Sequence, residues 1–255
     1  MPFQKIQSEK LAQSVVKQIE LLILRGILRP GERLPAERDL AERLNVSRPS
    51  LREAIGDLSN KGLLETRAGA GVFVADVLGS AFSPALVALF GDHDEAVFDY
   101  IAFRRDMEGL AAERAATFGS ETDLKVINTI FEKMEAAHPK RNPSDEARLD
   151  AEFHLSIIEA SHNVVMLHMM RSMFDLLREG VFYNRSVMFK QRTNRADLLD
   201  QHRMINDALQ SRDPKAARAA VVSHLNYVEQ ALKDQQKFEK NEAIAKLRFD
   251  HEQKR

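Results

Sequence analysis

Two groups of residues in this chain have the types and spacing for chemistry. In Asp150-Ala151-Glu152-Phe153-His154 a carboxylate and an imidazole stand four residues apart. On a helix that spacing puts both on one face, where they can chelate a single ion. His202 and His224 lie at nearly equal distances on either side of Asp213-Pro214. At ~1.5 Å of rise per residue each would sit about 15 Å along its helix from a turn there, so antiparallel pairing would bring the two imidazoles level. Three histidines and one aspartate suit Zn, Ni or Mn, with room for water or substrate oxygens. Spacing alone leaves coincidence open, because the chain has eight histidines and a lone histidine is usually satisfied by hydrogen bonds. His93, His138, His162, His168 and His251 are read in that plainer way.

The second group is Ser47-Arg48-Pro49-Ser50-Leu51-Arg52. A helix that reads DNA needs its first residues free to reach base edges, with cations and small hydroxyls there to hold phosphate oxygens. Leu51, Ala54, Ile55 and Leu58 form an inward face, which leaves Arg48 and Arg52 sharing an outward stripe. Arg38 could reach the backbone nearby, and Arg67 and Gly69 could approach a minor groove from a hairpin tip. The plainer alternative is a solvated, arginine-bearing helix face.

Both groups need scaffolds, and the sequence supplies different ones. Leu11, Val15, Ile19, Leu22 and Ile23 have helical spacing, with Ser8 placed as a cap and Gly26 as the end. Arg29 to Pro35 reads as a turn-rich connection, followed by a short helix from Ala36 to Leu44. Ser47 caps a third helix running to about Lys61, with Pro49 in the first turn and Gly62 as its stop. Leu63 to Thr66 and Val72 to Val74 are β-prone runs around a glycine-bearing turn. Three helices and a hairpin give the order of a winged helix-turn-helix.

Beyond Phe82 the pattern is all helical. Amphipathic stretches run over Phe98–Thr117, Asp123–Ala137, Asp150–Ala160, Val164–Phe182, Arg195–Gln210 and Pro214–Leu232, which together predict an antiparallel bundle. The expected layout is a DNA-binding domain over 1–75, a linker or linker helix over 76–97, an effector- and metal-binding domain over 98–235, and a polar tail over 236–255. That tail is either a solvated helix extension or frayed.

Composition narrows the classes. The chain has 255 residues and no cysteine, so disulfides and thiolate metal sites are excluded, and any metal must use His, Asp or Glu. The first 75 residues carry 12 Lys and Arg against 9 Asp and Glu, whereas the remainder carries 25 against 29. A basic head on an acidic body favours nucleic acid at the head. Charged residues interrupt the apolar positions of the first 24, and no later run reaches spanning length, so a soluble, cytoplasmic protein without membrane contact is expected.

Leu28 to Val74, with Arg29-Pro30-Gly31-Glu32-Arg33-Leu34-Pro35-Ala36-Glu37-Arg38, Val46-Ser47-Arg48 and Leu51-Arg52-Glu53-Ala54, closely resembles the GntR family of bacterial regulators. The resemblance implies operator contacts from Arg38, Ser47, Arg48, Ser50, Arg52 and Gly69. Ala68 departs from the larger polar residue that relatives often carry in the wing. Residues 98 to 235 resemble the FCD effector domain of the FadR subfamily, whose metal ligands fall in the pattern of Asp150, His154, His202 and His224. Arg104 matches a position on the first helix of that domain that faces the ligand cavity in several relatives, where an arginine can clamp a carboxylate bidentately. The residues themselves equally allow Arg104 to pair with Asp106 or Glu108 at the surface, or Arg105 to be the inward one.

The resulting expectation is a transcriptional regulator rather than an enzyme. It should be a homodimeric repressor that binds a double-stranded DNA operator under the control of a small carboxylate of the pyruvate, lactate or glycolate type. A direct metal sensor is one alternative. A metal-dependent hydrolase with Glu152 as base is another, although the sequence holds no nucleophile motif and no phosphate loop.

Overall fold

The computed structural model describes residues 9–76, 83–178 and 192–253. The chain divides into two compact units, with the boundary between Ala81 and Phe82. The Ser8 cap and the end of the stretch expected to reach Phe182 lie outside the described residues.

In the first unit, α1 (Glu9–Leu24) buries Ala12, Val15, Val16, Ile19 and Ile23 along one stripe. That stripe packs on α3 (Arg48–Asn60), whose Leu51, Ala54 and Leu58 are fully buried. Between them α2 (Glu37–Leu44) ends where Asn45 turns left-handed, at φ 52°. The Ser47 hydroxyl accepts the Ser50 N–H at 3.2 Å, satisfying an amide that the first turn of α3 would otherwise leave unbonded.

β1 (Leu64–Arg67) and β2 (Gly71–Val74) pair antiparallel with Arg67 opposite Gly71, so the tip is Ala68-Gly69-Ala70. Gly69 there has φ +72°, a conformation that side chains disfavour. The stretch expected only as a connection does more. Arg33 bridges Phe73, the Leu34 N–H donates to Val72 O at 2.9 Å, and the Val74 N–H donates to Glu32 O at 2.9 Å. Residues 31–34 thus form a third edge of the wing. Pro30 and Gly31 advertise a turn locally, while the pairing comes from β2, some forty residues away.

The second unit contains α4 (Pro84–Asp92), α5 (Asp94–Phe118), α6 (Glu121–Ala137), a short 3-10 turn (His138–Lys140), α7 (Pro143–Ala160), α8 (Val164–Arg178), α9 (Arg192–Gln210) and α10 (Pro214–Gln253). No strand occurs among the described residues of this unit. α4 covers part of the expected linker, and its Val87 and Phe90 pack on the bundle core. α5 lies along α10, α6 packs on α7, and α9 pairs with α10. Ala111, Ala112, Ala115 and Ala116 are all buried on α5, and their small side chains let neighbouring helices approach closely.

Caps fix where the helices begin. Ser120 and Asp123 form a reciprocal capping box at α6. Asn142 caps α7, and Asp213 Oδ1 accepts the Ala216 N–H at 3.0 Å to start α10 after a tight turn. α10 then runs unbroken past Leu232 to Gln253, so the polar tail is a solvated helix extension.

Candidate metal centre and nucleic-acid interface

Asp150 and His154 sit one turn apart on α7, His202 on α9 and His224 on α10. All four are buried, and one ligand atom from each lies within 4.8 Å of the others. His202 Nε2 is 3.3 Å from His154 Nε2 and 3.1 Å from Asp150 Oδ1, while His154 Nε2 is 3.7 Å from that oxygen. The α9–α10 hairpin does level its two imidazoles, whose ring centroids are 4.5 Å apart.

The other nitrogen of each imidazole faces an oxygen, and in His202 and His224 it is hydrogen-bonded. His202 Nδ1 is 2.6 Å from Leu198 O, one turn back on its own helix. His224 Nδ1 is 2.9 Å from Gln201 Oε1. His154 Nδ1 is 2.7 Å from Glu108 Oε2, close but bent away from an ideal hydrogen-bond line. Acceptors at Nδ1 place the proton there and leave Nε2 with its lone pair, the form in which an imidazole binds a metal ion.

Electrostatics favours the same state. Burial, then the neighbouring His202 and His154, push His224 well below the ordinary histidine range. Burial also lowers His154, with Glu108 opposing it. Three imidazole nitrogens and a carboxylate oxygen gathered within 4.8 Å of one another form a donor set suited to a divalent cation. The residues therefore fit a metal ion.

Behind this cluster sits Glu108, which the sequence reading considered only as a surface partner. Burial raises its pKa, but the Arg104 guanidinium outweighs that and holds the carboxyl below its usual range. Arg104 Nε donates to Glu108 Oε1 at 2.6 Å and Nη2 to Oε2 at 3.3 Å. Arg104 is 1% exposed, so this i,i+4 pair is an interior one and the surface alternative does not hold. Its guanidinium lies near the Phe174 and Tyr100 rings. Arg105 points elsewhere, with Nη1 2.7 Å from Asn226 Oδ1 and 2.9 Å from Glu229 Oε2 on α10. Of the two arginines, Arg104 is the inward one.

A small pocket adjoins the cluster, lined by Met134, His138, Glu146, Arg195, Leu199 and His202. Sequence reasoning missed Glu146 and Arg195, which lie 49 positions apart. Glu152, the conceivable base, pairs instead with Arg148 at 2.6 Å and is half-exposed. His162 meets Asp123 at 2.9 Å, as the plain hydrogen-bonding reading supposes.

In the first unit, Arg48 and Arg52 both point outward and are joined by one residue. Glu37 Oε1 accepts from Arg48 Nε at 2.6 Å and Oε2 from Arg52 Nε at 2.8 Å. The hydrogen bonds from Arg52 and then Arg48 hold the Glu37 carboxyl below its usual range. Ser47 and Ser50 share a hydroxyl contact of 2.8 Å beside them. Arg38 is largely exposed and close only to Asp39, at 3.6 Å. Arg67 is a strand residue rather than a tip residue, laid over the Phe73 ring and paired with Glu65. Gly69 remains at the open tip, with nothing near the space a side chain would take.

A winged helix-turn-helix, followed in the chain by an all-helical bundle, defines a two-unit DNA-binding regulator. Residues 11–74 match the family of bacterial regulatory proteins named gntR, and residues 99–227 match the FCD domain. The chain belongs to the GntR family and carries an FCD domain, and is a transcriptional regulator rather than an enzyme.

Among its relatives is the Glc operon transcriptional activator of Escherichia coli K12, 33% identical over 90% of this chain and 92% of its own length. An E. coli K12 protein whose name assigns it to regulation of the L-lactate dehydrogenase operon is 34% identical over 95% of this chain and 94% of its own. The HTH-type transcriptional regulator LutR of Bacillus subtilis is 30% identical over 83% and 96% respectively. A solved GntR structure from Streptococcus agalactiae superposes with a TM-score of 0.55 at 26% identity, over 86% of this chain and 99% of that one. No helix among the described residues is long and apolar enough to cross a membrane.

Proposed function

We propose that this regulator binds its operator through α3 and the wing and is controlled by a small carboxylate bound at a metal-containing FCD bundle. The observation that carries the reading is the convergence of Asp150, His154, His202 and His224, with the Nδ1 atoms of His202 and His224 already hydrogen-bonded, beside a pocket. Those four residues hold the ion, which is Zn, Ni or Mn by donor type. When bound, the ion supplies positive charge and coordination for the oxygens of a 2-oxo or 2-hydroxy acid.

Arg104 is the effector-binding cation of this reading, held in place by Glu108 and set against Phe174. A bound ion facing a guanidinium suits the single carboxylate and adjacent oxygen of pyruvate, lactate or glycolate. Relatives tied by name to Glc and L-lactate dehydrogenase operons point the same way.

On the DNA side, Arg38, Ser47, Arg48, Ser50, Arg52 and Gly69 make the operator contacts. One reading head covers few bases, so the protein works in the cytoplasm as a homodimer on a near-palindromic site, as a repressor. A monomer on one asymmetric site in sedimentation and footprinting would contradict the dimer.

The test of the sensor is metal analysis of the purified protein with calorimetry against the three acids and gel-shift assays. His202→Ala should lose metal and the acid response while retaining ligand-free DNA binding. Arg104→Ala should keep metal and weaken the acid. Full metal content and an unaltered acid response in His202→Ala would sink the reading. A second reading, in which the ion itself is the signal, is favoured by the presence of four protein donors, enough to complete a tetrahedral site. DNA release on titration with metal alone, with no further effect of acid, would select it.

A further inference from the structure

Arg195 stands in the first turn of α9, where a cation opposes the helix dipole. It is 8% exposed and its salt bridge is buried. Nε donates to Glu146 Oε2 at 2.8 Å, and Nη2 contacts Glu146 Oε1 and donates to His138 O at 2.6 Å. Nη1 has no hydrogen-bond partner among the described residues. A buried ion pair is a weak stabiliser, because desolvation offsets most of the attraction. Neither the helix nor the core explains the choice of residue.

The pocket does. Arg195 and Glu146 line it together with His202, the α9 member of the metal-type cluster. Arg104 reaches that cluster only through Glu108 and His154, whereas Arg195 shares open space with it. A guanidinium bound in fork geometry by a carboxylate is already arranged for another carboxylate, which Glu146 mimics.

We propose that Arg195 is a second carboxylate-recognition residue of the effector pocket and that the incoming acid displaces Glu146 from it. This rests on the small-acid reading above. Glu146 is then an internal competitor that sets a threshold for binding. Arg195 also ties α9 to the end of α6 through His138 O and to the first turn of α7 through Glu146. Exchange of Glu146 for the acid therefore loosens a three-helix junction at the moment of binding. Met134 and Leu199 complete the wall.

The experiment is calorimetry of pyruvate, L-lactate and glycolate on the metal-loaded full chain, comparing wild type, Arg195→Gln and Glu146→Gln, with metal content measured for each. Loss of a bidentate contact should weaken the acid about tenfold or more in Arg195→Gln, with metal content unchanged. Glu146→Gln should bind the acid more tightly, because the competitor has lost its charge. A structural clasp predicts the opposite sign for the second variant. Unaltered acid affinity in Arg195→Gln, or weakening in both variants together, overturns the proposal. If Arg195→Gln does not fold, the direction of the Glu146→Gln change decides alone. If wild type binds none of the acids while holding its metal, the small-acid reading itself fails and takes this inference with it.

Discussion

Glu37 shows how one side chain can organise an interface without belonging to it. In the free protein its carboxylate holds both Arg48 and Arg52, fixing two long side chains on one face of α3. Replacing either arginine with Ala should weaken operator binding about tenfold to a hundredfold if it reads a base edge, measured by titration against the operator. Unchanged binding in both variants would remove α3 as the reading helix. Glu37→Gln should act differently. It removes a negative charge next to DNA and frees both guanidinium groups, so binding to random DNA should tighten while the ratio of operator to random affinity falls. A ratio equal to wild type would show that Glu37 only solvates its neighbours. The sequence made the arginine stripe readable through helical spacing, but Glu37 contacts them across 11 and 15 positions, which no local pattern records.

Helix ends carry much of the legible information at the scale of elements. Ser47 and Asp213 are small oxygen-bearing residues ahead of a first-turn proline, and both cap as their types imply. The spacing of Asp150 and His154 and the symmetry of His202 and His224 about a turn placed the cluster because helical rise is constant. Pairing between remote elements was not readable. The third edge of the wing depends on β2, and Glu108 became interior only because α5 is covered by α7 and α10.

The capping box at α6 gives a testable case on this scale. Burial raises the Asp123 pKa, but hydrogen bonds from Ser120 and the charge of His162 bring it below the usual value. A depressed carboxylate stabilises the fold above its unfolded pKa and loses that contribution as pH falls through the folded pKa. Asp123→Ala should therefore cost about 1 kcal/mol near neutrality in denaturant melts, and the deficit should vanish toward acid. A deficit independent of pH would assign the loss to packing instead.

On the scale of the whole molecule, two units with separate cores imply two stability ledgers within one chain. A metal ion binding α7, α9 and α10 stabilises only the second. At a free concentration a hundred times its dissociation constant, a ligand that ignores the unfolded chain adds about 2.7 kcal/mol. Stripping with a chelator should lower the melting transition of the bundle and leave that of the DNA-binding unit in place, as followed by calorimetric scanning. Equal shifts in both, or none in either, would contradict a resident ion.

The far end of α10 has a different physical character from its beginning. Up to Leu232 the helix is held by core contacts, and beyond it the residues to Gln253 stand largely in water. At ~1.5 Å per residue that is a projection of about 30 Å, too long to be a simple fray, and its Phe238, Ile244, Leu247 and Phe249 are exposed rather than held by burial. An isolated segment of this length would be marginal as a helix, because the first turn is costly to form. Here the packed portion provides that first turn, and pairs such as Gln230 with Asp234 and Gln235 with Glu239 extend it. Amide hydrogens along the projection should exchange with solvent in a smooth gradient, slowing turn by turn toward Leu232, so that the helix unzips toward its packed portion instead of melting as a unit.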